Sequence, residues 1–260
     1  MSNANTWIAY STPNPGARFR LFCFPYAGGG ASIYQQWNGV PLDQVEVCPI
    51  QLPGRESRMA ETPFRCLGSL ASAVADILPQ DKPFAFFGHS VGALLSFELS
   101  RELRRRGSAL PFHLFVSGAS TPHLCPDQPP RFNLPREELL VRIRELGGTP
   151  EAALANAELL DIFLPILRAD FALFDTYSYQ NEAPFLFPIT AMAGDSDAEV
   201  DTLGVRQWHI HTRNRFRCHE FHGDHFFLHQ HSSDVRFLIA KEIETAAPSS
   251  TISAVSGSVQ

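Results

Sequence analysis

Short apolar runs alternate along this chain with longer stretches of helical spacing. The run Arg20-Leu21-Phe22-Cys23-Phe24 ends at Pro25 and a glycine cluster, which predicts a buried strand followed by a loop. A second strand is expected over 45–52, stopped by Pro53-Gly54. Residues 67–78 carry apolar side chains at helical spacing. The compact run Phe84-Ala85-Phe86-Phe87 predicts a strand closed by Gly88, and 93–106 predicts a helix ending at Gly107. Further strands are expected at 112–117, 187–193 and 216–221, with a last helix over 235–244. Strands alternating with helices predict an α/β fold, a mostly parallel sheet with helices on both faces.

One stretch breaks the rhythm. From about 123 to 180 the pattern is helical only. Leu134-Pro135-Arg136-Glu137-Glu138 has the character of a helix start, continued over 139–146 as far as Gly147-Gly148. A second long helix is expected over 157–174, interrupted or kinked at Pro165. A helical insertion between two sheet strands is placed to act as a lid over the sheet's C-terminal edge. The expected organisation is a loose lead-in over 1–16, one domain over 17–244 carrying the lid, and a disordered Ser/Ala/Thr-rich tail over 245–260.

Composition narrows the field. The chain has 260 residues, 44% hydrophobic and 18% charged, a balance that supports a sizeable core and excludes a disordered chain. The net charge of −6 provides no general attraction for nucleic acid. No apolar run is long enough to span a membrane, and residues 1–12 lack the basic and apolar segments of a secretory signal. The 5 cysteines are widely spaced and odd in number, without a C-x-x-C pair, so a reducing cytoplasm is expected and a disulfide framework is not. Cys23 and Cys48 lie in or beside strands and are expected to pack as small hydrophobes. His209 and His211 form an H-x-H pair without a third ligand at a recognisable spacing, so no metal site is expected.

Gly88-His89-Ser90-Val91-Gly92 fits the G-x-S-x-G pattern between a strand and a helix. Small residues at both ends permit the sharp turn that lifts the Ser90 hydroxyl clear of the backbone. His89 beside it is expected to be structural. A hydroxyl needs a base, and the base an acid, which should follow in the order acid then histidine. Asp195 and Asp197 after the 187–193 strand compete for the acid. Asp197 is the better placed, being further into the loop, while Asp195 can brace the turn. His222 and His225 after the last strand compete for the base. Gly223-Asp224 turns the chain before His225, and Phe226-Phe227 can bury behind it, which favours His225. Two backbone donors would hold a developing oxyanion. The N–H of Val91 is one, and the loop Pro25-Tyr26-Ala27-Gly28-Gly29-Gly30 should supply the other.

With those residues in view the sequence resembles the type II thioesterases, stand-alone α/β-hydrolases associated with polyketide synthases and nonribosomal peptide synthetases. The resemblance runs from about residue 20 to 243. It rests on the segment Phe24 to Ala31, on Leu52-Pro53-Gly54-Arg55 and on the elbow. It rests also on the lid segments Leu146-Gly147-Gly148-Thr149-Pro150 and Leu164 to Phe171, and on Gly223-Asp224-His225-Phe226-Phe227-Leu228. The lid segments and the histidine loop are its most specific parts. Val91 stands where the family often has Met, and Asp224 where it usually has Gly.

The resemblance implies Ser90 as nucleophile, Asp197 as acid, His225 as base, and Ala27 and Val91 as oxyanion donors. The implied substrate is an acyl or aminoacyl group on the phosphopantetheine arm of a carrier protein, hydrolysed without a bound cofactor, by a monomer. Tyr26, Phe163, Leu167, Phe171 and Phe226 are candidates for the acyl channel. Carrier proteins are usually acidic, so Arg136, Arg142 and Arg144, or Arg213, Arg215 and Arg217, are candidates for a docking patch. The alternatives are a carboxylesterase or lipase acting on free oxygen esters, and a thioesterase that releases a product or transfers the acyl group.

Overall fold

A computed structural model describes residues 4–39, 41–124, 130–149 and 151–246. In chain order the elements are α1 (Ala4–Trp7), β1 (Phe19–Phe24), β2 (Val45–Pro49), α2 (Leu67–Ala75), β3 (Phe84–His89), α3 (Val91–Arg105) and β4 (Leu114–Ser117). They continue with α4 (Arg136–Leu146), α5 (Glu151–Leu154), α6 (Ala157–Asp175), β5 (Ile189–Gly194), α7 (Thr202–Arg206), β6 (Phe216–Phe221), α8 (Phe227–Gln230) and α9 (Ser232–Ala246). The six strands form one parallel sheet in the order β2-β1-β3-β4-β5-β6.

Side chains two apart along a strand share a face, and this decides which helices each strand meets. Phe22, Phe24, Phe84, Phe86, Leu114, Val116 and Ala191 pack with α2 and α3. Their neighbours Leu21, Cys23, Ala85, Phe87, Phe115 and Met192 pack on the other face with α9 and with Tyr34 and Trp37 of a 3₁₀ segment, Ala31–Trp37. Every residue of β3 is buried, as a central parallel strand requires. At the edge, β6 exposes Arg217 and Glu220. The lid has a core of its own, where Leu139 and Ile143 of α4 meet Leu160, Leu164, Leu167 and Phe171 of α6.

Several boundaries differ from expectation for identifiable reasons. β5 begins at Ile189, because Pro188 has no N–H to give to the ladder; it contributes only its carbonyl, which accepts from Leu114. α6, expected to be interrupted or kinked at Pro165, is uninterrupted from Ala157 to Asp175. Pro165 and Asp161, whose carbonyl loses its helical donor, both lie on the exposed side, where water can replace the missing bond. The N-terminal side chain of Asn156 caps this helix, accepting from the N–H groups of Glu158 (3.1 Å) and Leu159 (3.2 Å). Within the expected lead-in, residues 7–9 are anchored to the domain. Trp7 is buried beneath the Arg58 guanidinium, 4.0 Å from its ring centre, and Ile8 bridges antiparallel to Ile50. Residues 1–3 and 247–260, hence nearly all of the expected tail, lie outside the described residues, and Thr245 and Ala246 close α9.

Candidate active site

The sharp turn at Ser90 is enforced by packing. Ser90 sits between β3 and α3 at φ 55°, ψ −121°, a conformation costly for a residue with a Cβ. The backbones crowd at this point. A Cβ on Gly88 would overlap the carbonyl of Gly92, and one on Gly92 would overlap the carbonyls of Phe24 and Pro25. The Ser90 N–H donates to the Ser117 carbonyl at 2.8 Å, which ties the turn to β4. Val91 is the first residue of α3, where an N–H has no acceptor within the helix.

The two carboxylate–histidine choices separate cleanly. Asp197 Oδ2 lies 2.8 Å from His225 Nδ1, with side-chain exposures of 1% and 8%. Asp197 Oδ1 accepts from the N–H groups of Glu199 (2.8 Å) and Val200 (3.1 Å), so the carboxylate is held from the side opposite the imidazole. Asp195 instead accepts from the Gly223 N–H at 3.0 Å and pairs with the exposed His222 at 3.1 Å. The Gly223 N–H above all, then His222, brings its carboxyl down to about 2. Asp195 therefore braces the two loops against each other. Asp224 accepts from the N–H of Phe226 at 2.8 Å, as a turn residue does.

His89 lies fully buried under the site, its Nδ1 2.9 Å from Ser117 Oγ and its ring 5.1 Å from that of His225. Burial first, and the His225 imidazole second, hold it well below the usual histidine range, so it stays neutral. Tyr26 packs edge-on to Phe226 and bonds through its hydroxyl to His229 Nε2 at 2.9 Å.

Ser90, Val91, Ala27 and His225 all border one cavity of about 330 Å³ beneath the lid. Of the residues expected to line an acyl channel, Tyr26, Leu167, Phe171 and Phe226 do so. Phe163 does not; it is 41% exposed on the outer face of α6. The inward stripe of that helix is Leu160, Leu164, Leu167 and Phe171, and Phe163 stands one residue off it. The cavity also has a charged wall that the sequence did not announce. Arg142 of α4 meets Glu199 at 2.5 Å, and Arg131 lies 3.8 Å from the same carboxylate. Asp170 lines the cavity too, and it was equally unannounced. The available signal was a lone carboxylate on an otherwise apolar helix stripe, which demands a buried partner.

The arginines considered for a docking patch are mostly paired. Arg136 meets Asp161 (2.6 Å), Arg142 meets Glu145 (2.9 Å) and Glu199, and Arg144 meets Glu151 (3.4 Å), while Arg215 and Arg217 share Glu242 (2.8 and 3.4 Å). His211 is buried with its Nε2 on Thr121 Oγ1 (2.8 Å), whereas His209 is exposed. Among the described residues no three His, Cys, Asp or Glu side chains cluster as a metal site would need. Among them, too, no helix is long and apolar enough to cross a membrane.

The family profile described as the thioesterase domain matches residues 19–243. The chain is 41% identical over 245 residues to the gramicidin S biosynthesis protein GrsT of Aneurinibacillus migulanus, covering 94% of this chain and 96% of that one. The RedJ thioesterase from the prodiginine pathway of Streptomyces coelicolor superposes with a TM-score of 0.83 at 38% identity, covering 88% of this chain and 92% of that one. The type II thioesterase BorB from the borrelidin cluster superposes at 0.82 with 33% identity, covering 94% and 99%. With a profile reaching from the first strand to the last helix and relatives matched nearly end to end, the chain belongs to the thioesterase family.

Proposed function

We propose that the protein is a type II thioesterase that hydrolyses acyl or aminoacyl thioesters from the phosphopantetheine arm of carrier proteins in polyketide or nonribosomal peptide synthesis. The observation that carries this reading is the buried Asp197–His225 pair facing the same lidded cavity as a serine held at positive φ. Ser90 Oγ attacks the thioester carbonyl as His225 Nε2 takes its proton. Asp197 keeps the Nδ1 proton of His225 engaged and stabilises the imidazolium. The oxyanion rests on the N–H groups of Ala27 and Val91, worth about 3 kcal/mol per donor. Collapse breaks the C–S bond, and the imidazolium gives its proton to the departing thiol. Water then attacks the acyl-serine with His225 again as base. The C–O bond to Ser90 breaks as the imidazolium returns its proton to Ser90 Oγ, and the free acid leaves.

No cofactor takes part in these steps, since the substrate brings the phosphopantetheine. We assign the enzyme to the cytoplasm, in keeping with free thiols at Cys23, Cys48, Cys66 and Cys218, and treat it as a monomer. The test is intact-mass spectrometry of acetyl-, longer acyl- and aminoacyl-loaded holo carrier protein with the wild type and with Ser90→Ala. Stripping by the wild type alone supports the reading. Hydrolysis of p-nitrophenyl esters with every carrier load left intact would assign the chain to the esterases instead.

A further inference from the structure

The loop expected to supply one oxyanion donor is gripped from below by a buried ion pair that reaches it from the lid. Asp170 lies on α6, one turn after Leu167. Its Oδ2 accepts from the Gly28 N–H at 2.7 Å. The same oxygen accepts from Arg55 Nη1, and Oδ1 accepts from Arg55 Nη2, both at 2.8 Å. The side chains of Arg55 and Asp170 are 5% and 1% exposed. Arg55 Nη1 also donates to the Gly29 carbonyl at 3.2 Å. The Arg55 carbonyl accepts from Gln51 Nε2 (3.1 Å), and Gln51 Oε1 accepts from the Ala31 N–H (3.1 Å). Gly28 is at φ 77°, and a Cβ there would come within 2.7 Å of Leu167. Three peptide groups of the loop 28–31 are thus fixed from one side by a network linking the lid helix to the 51–55 turn.

A bidentate, charge-assisted pair has a narrow geometry. Burying it is seldom a route to stability, because desolvation of both ions offsets their attraction. Its distinctive product here is the place of one backbone segment. We propose that Asp170 is a positioning residue for the oxyanion hole, with Arg55 orienting its carboxylate. Through the Gly28 N–H it sets the orientation of the adjoining Ala27 peptide, and so ties the seating of α6 to transition-state stabilisation. This rests on the acyl-serine reading above.

Three variants test it. In Asp170→Asn an amide nitrogen in place of either oxygen would confront a donor, so the side chain must leave its position. In Arg55→Lys the charge on Asp170 is still neutralised and the Gly28 contact is retained. In Arg55→Met with Asp170→Val both charges go together, which keeps the fold accessible if the single change does not. Steady-state kinetics on an acyl-N-acetylcysteamine thioester are measured alongside Tm. Affinity for an alkyl trifluoromethyl ketone, whose adduct with serine places an oxyanion in the hole, is measured as well.

Asp170→Asn is expected to lower kcat about 100-fold with KM changed less than about threefold, and to weaken the ketone by a similar factor. Arg55→Lys, which loses the bidentate fork but keeps the charge and the Gly28 contact, should lower kcat by a smaller factor than Asp170→Asn, about 10-fold, and the double variant should recover Tm without recovering kcat. Recovery of kcat together with Tm in the double variant would show a mere brace. A rise in KM alone would show a wall of the substrate site, and either result overturns the proposal. Titration of Ser90 with a fluorophosphonate separates the two questions. If the wild type itself does not label, the acyl-serine reading fails, whatever Asp170 does.

Discussion

The Asp197→Asn substitution gives the sharpest test of the site, because the surrounding bonds dictate how the new side chain must sit. Asp197 Oδ1 is held by two backbone N–H groups, at 2.8 and 3.1 Å, and only an oxygen can remain there. The amide nitrogen is then forced into the place of Oδ2, 2.8 Å from His225 Nδ1. Two donors cannot face each other, so His225 must present Nδ1 as acceptor and carry its proton on Nε2. An imidazole in that tautomer cannot take the Ser90 proton. The expected loss is about 10⁴ in kcat, the size seen when a triad histidine is held in the wrong tautomer, or about 5.5 kcal/mol in barrier. Stability should fall by no more than about 1 kcal/mol, since the two backbone bonds survive. The assay is thioester hydrolysis at saturating substrate, with urea unfolding in parallel. Asp195→Asn is the control, expected within about twofold of wild type because the amide oxygen still accepts from the Gly223 N–H and the weakened partner, His222, is exposed. A kcat for Asp197→Asn within about tenfold of wild type, or an equal loss in the control, would refute the argument.

Other outcomes follow from the same geometry. Ser90→Gly should match or exceed Ser90→Ala in Tm, because release of about 1–3 kcal/mol of backbone strain opposes the entropy cost of glycine; a clearly less stable Ser90→Gly would contradict this. Burial lowers His113 to about 3 and His211 to about 4, against an ordinary 6.5. The unfolded chain therefore binds protons below about pH 6.5 that the folded chain refuses. This stabilisation is complete above pH 6.5 and lost as pH falls towards 4 and 3, with a slope approaching about 1.4 kcal/mol per pH unit for each histidine. Urea titrations at stepped pH should show it, and His113→Gln should flatten the slope between about pH 6.5 and 5. Phe163→Ser should leave kcat/KM unchanged across acyl chain lengths. Phe171→Ala should cost about 3 kcal/mol in unfolding free energy and shift the preference towards longer chains.

The sheet was legible because each strand is a short apolar run and each crossover a helical one. The period of two within Phe22, Phe24, Phe84 and Phe86 even tells which face each side chain occupies. The Asp197–His225 pair was legible through chain order, since an acid and then a histidine must follow the elbow at successive strand ends. What escaped was long-range. Arg55 and Asp170 are separated by 115 positions, and no local spacing announces a partner so distant. Arg142 and Glu199 meet only because α4 comes down on the acid loop. Phe163 failed for the opposite reason. The helical stripe that excludes it is present in the sequence, and an aromatic side chain one residue off that stripe faces solvent. Pro165 leaves α6 continuous because the proline and the Asp161 carbonyl it deprives of a donor both face solvent, a matter of orientation that the proline alone does not reveal.

The sheet's two outer strands carry a consequence for handling the protein. A parallel sheet ends in unpaired peptide groups that can recruit strands from other molecules. At β2 the chain answers with its own start. Ile8 bridges to Ile50, the Ala9 N–H donates to the Pro49 carbonyl, and the Gln51 N–H donates to the Trp7 carbonyl. At β6 the answer is charge, with Arg217 and Glu220 exposed along the strand. The first safeguard is detachable and the second is not. Shortening the chain to begin near residue 17 would remove the cover from residues 49–51 at the end of β2 and expose unpaired peptide groups there. Such a truncated chain would keep Ser90, Asp197 and His225, and light scattering is expected to show it self-associating more than the full chain.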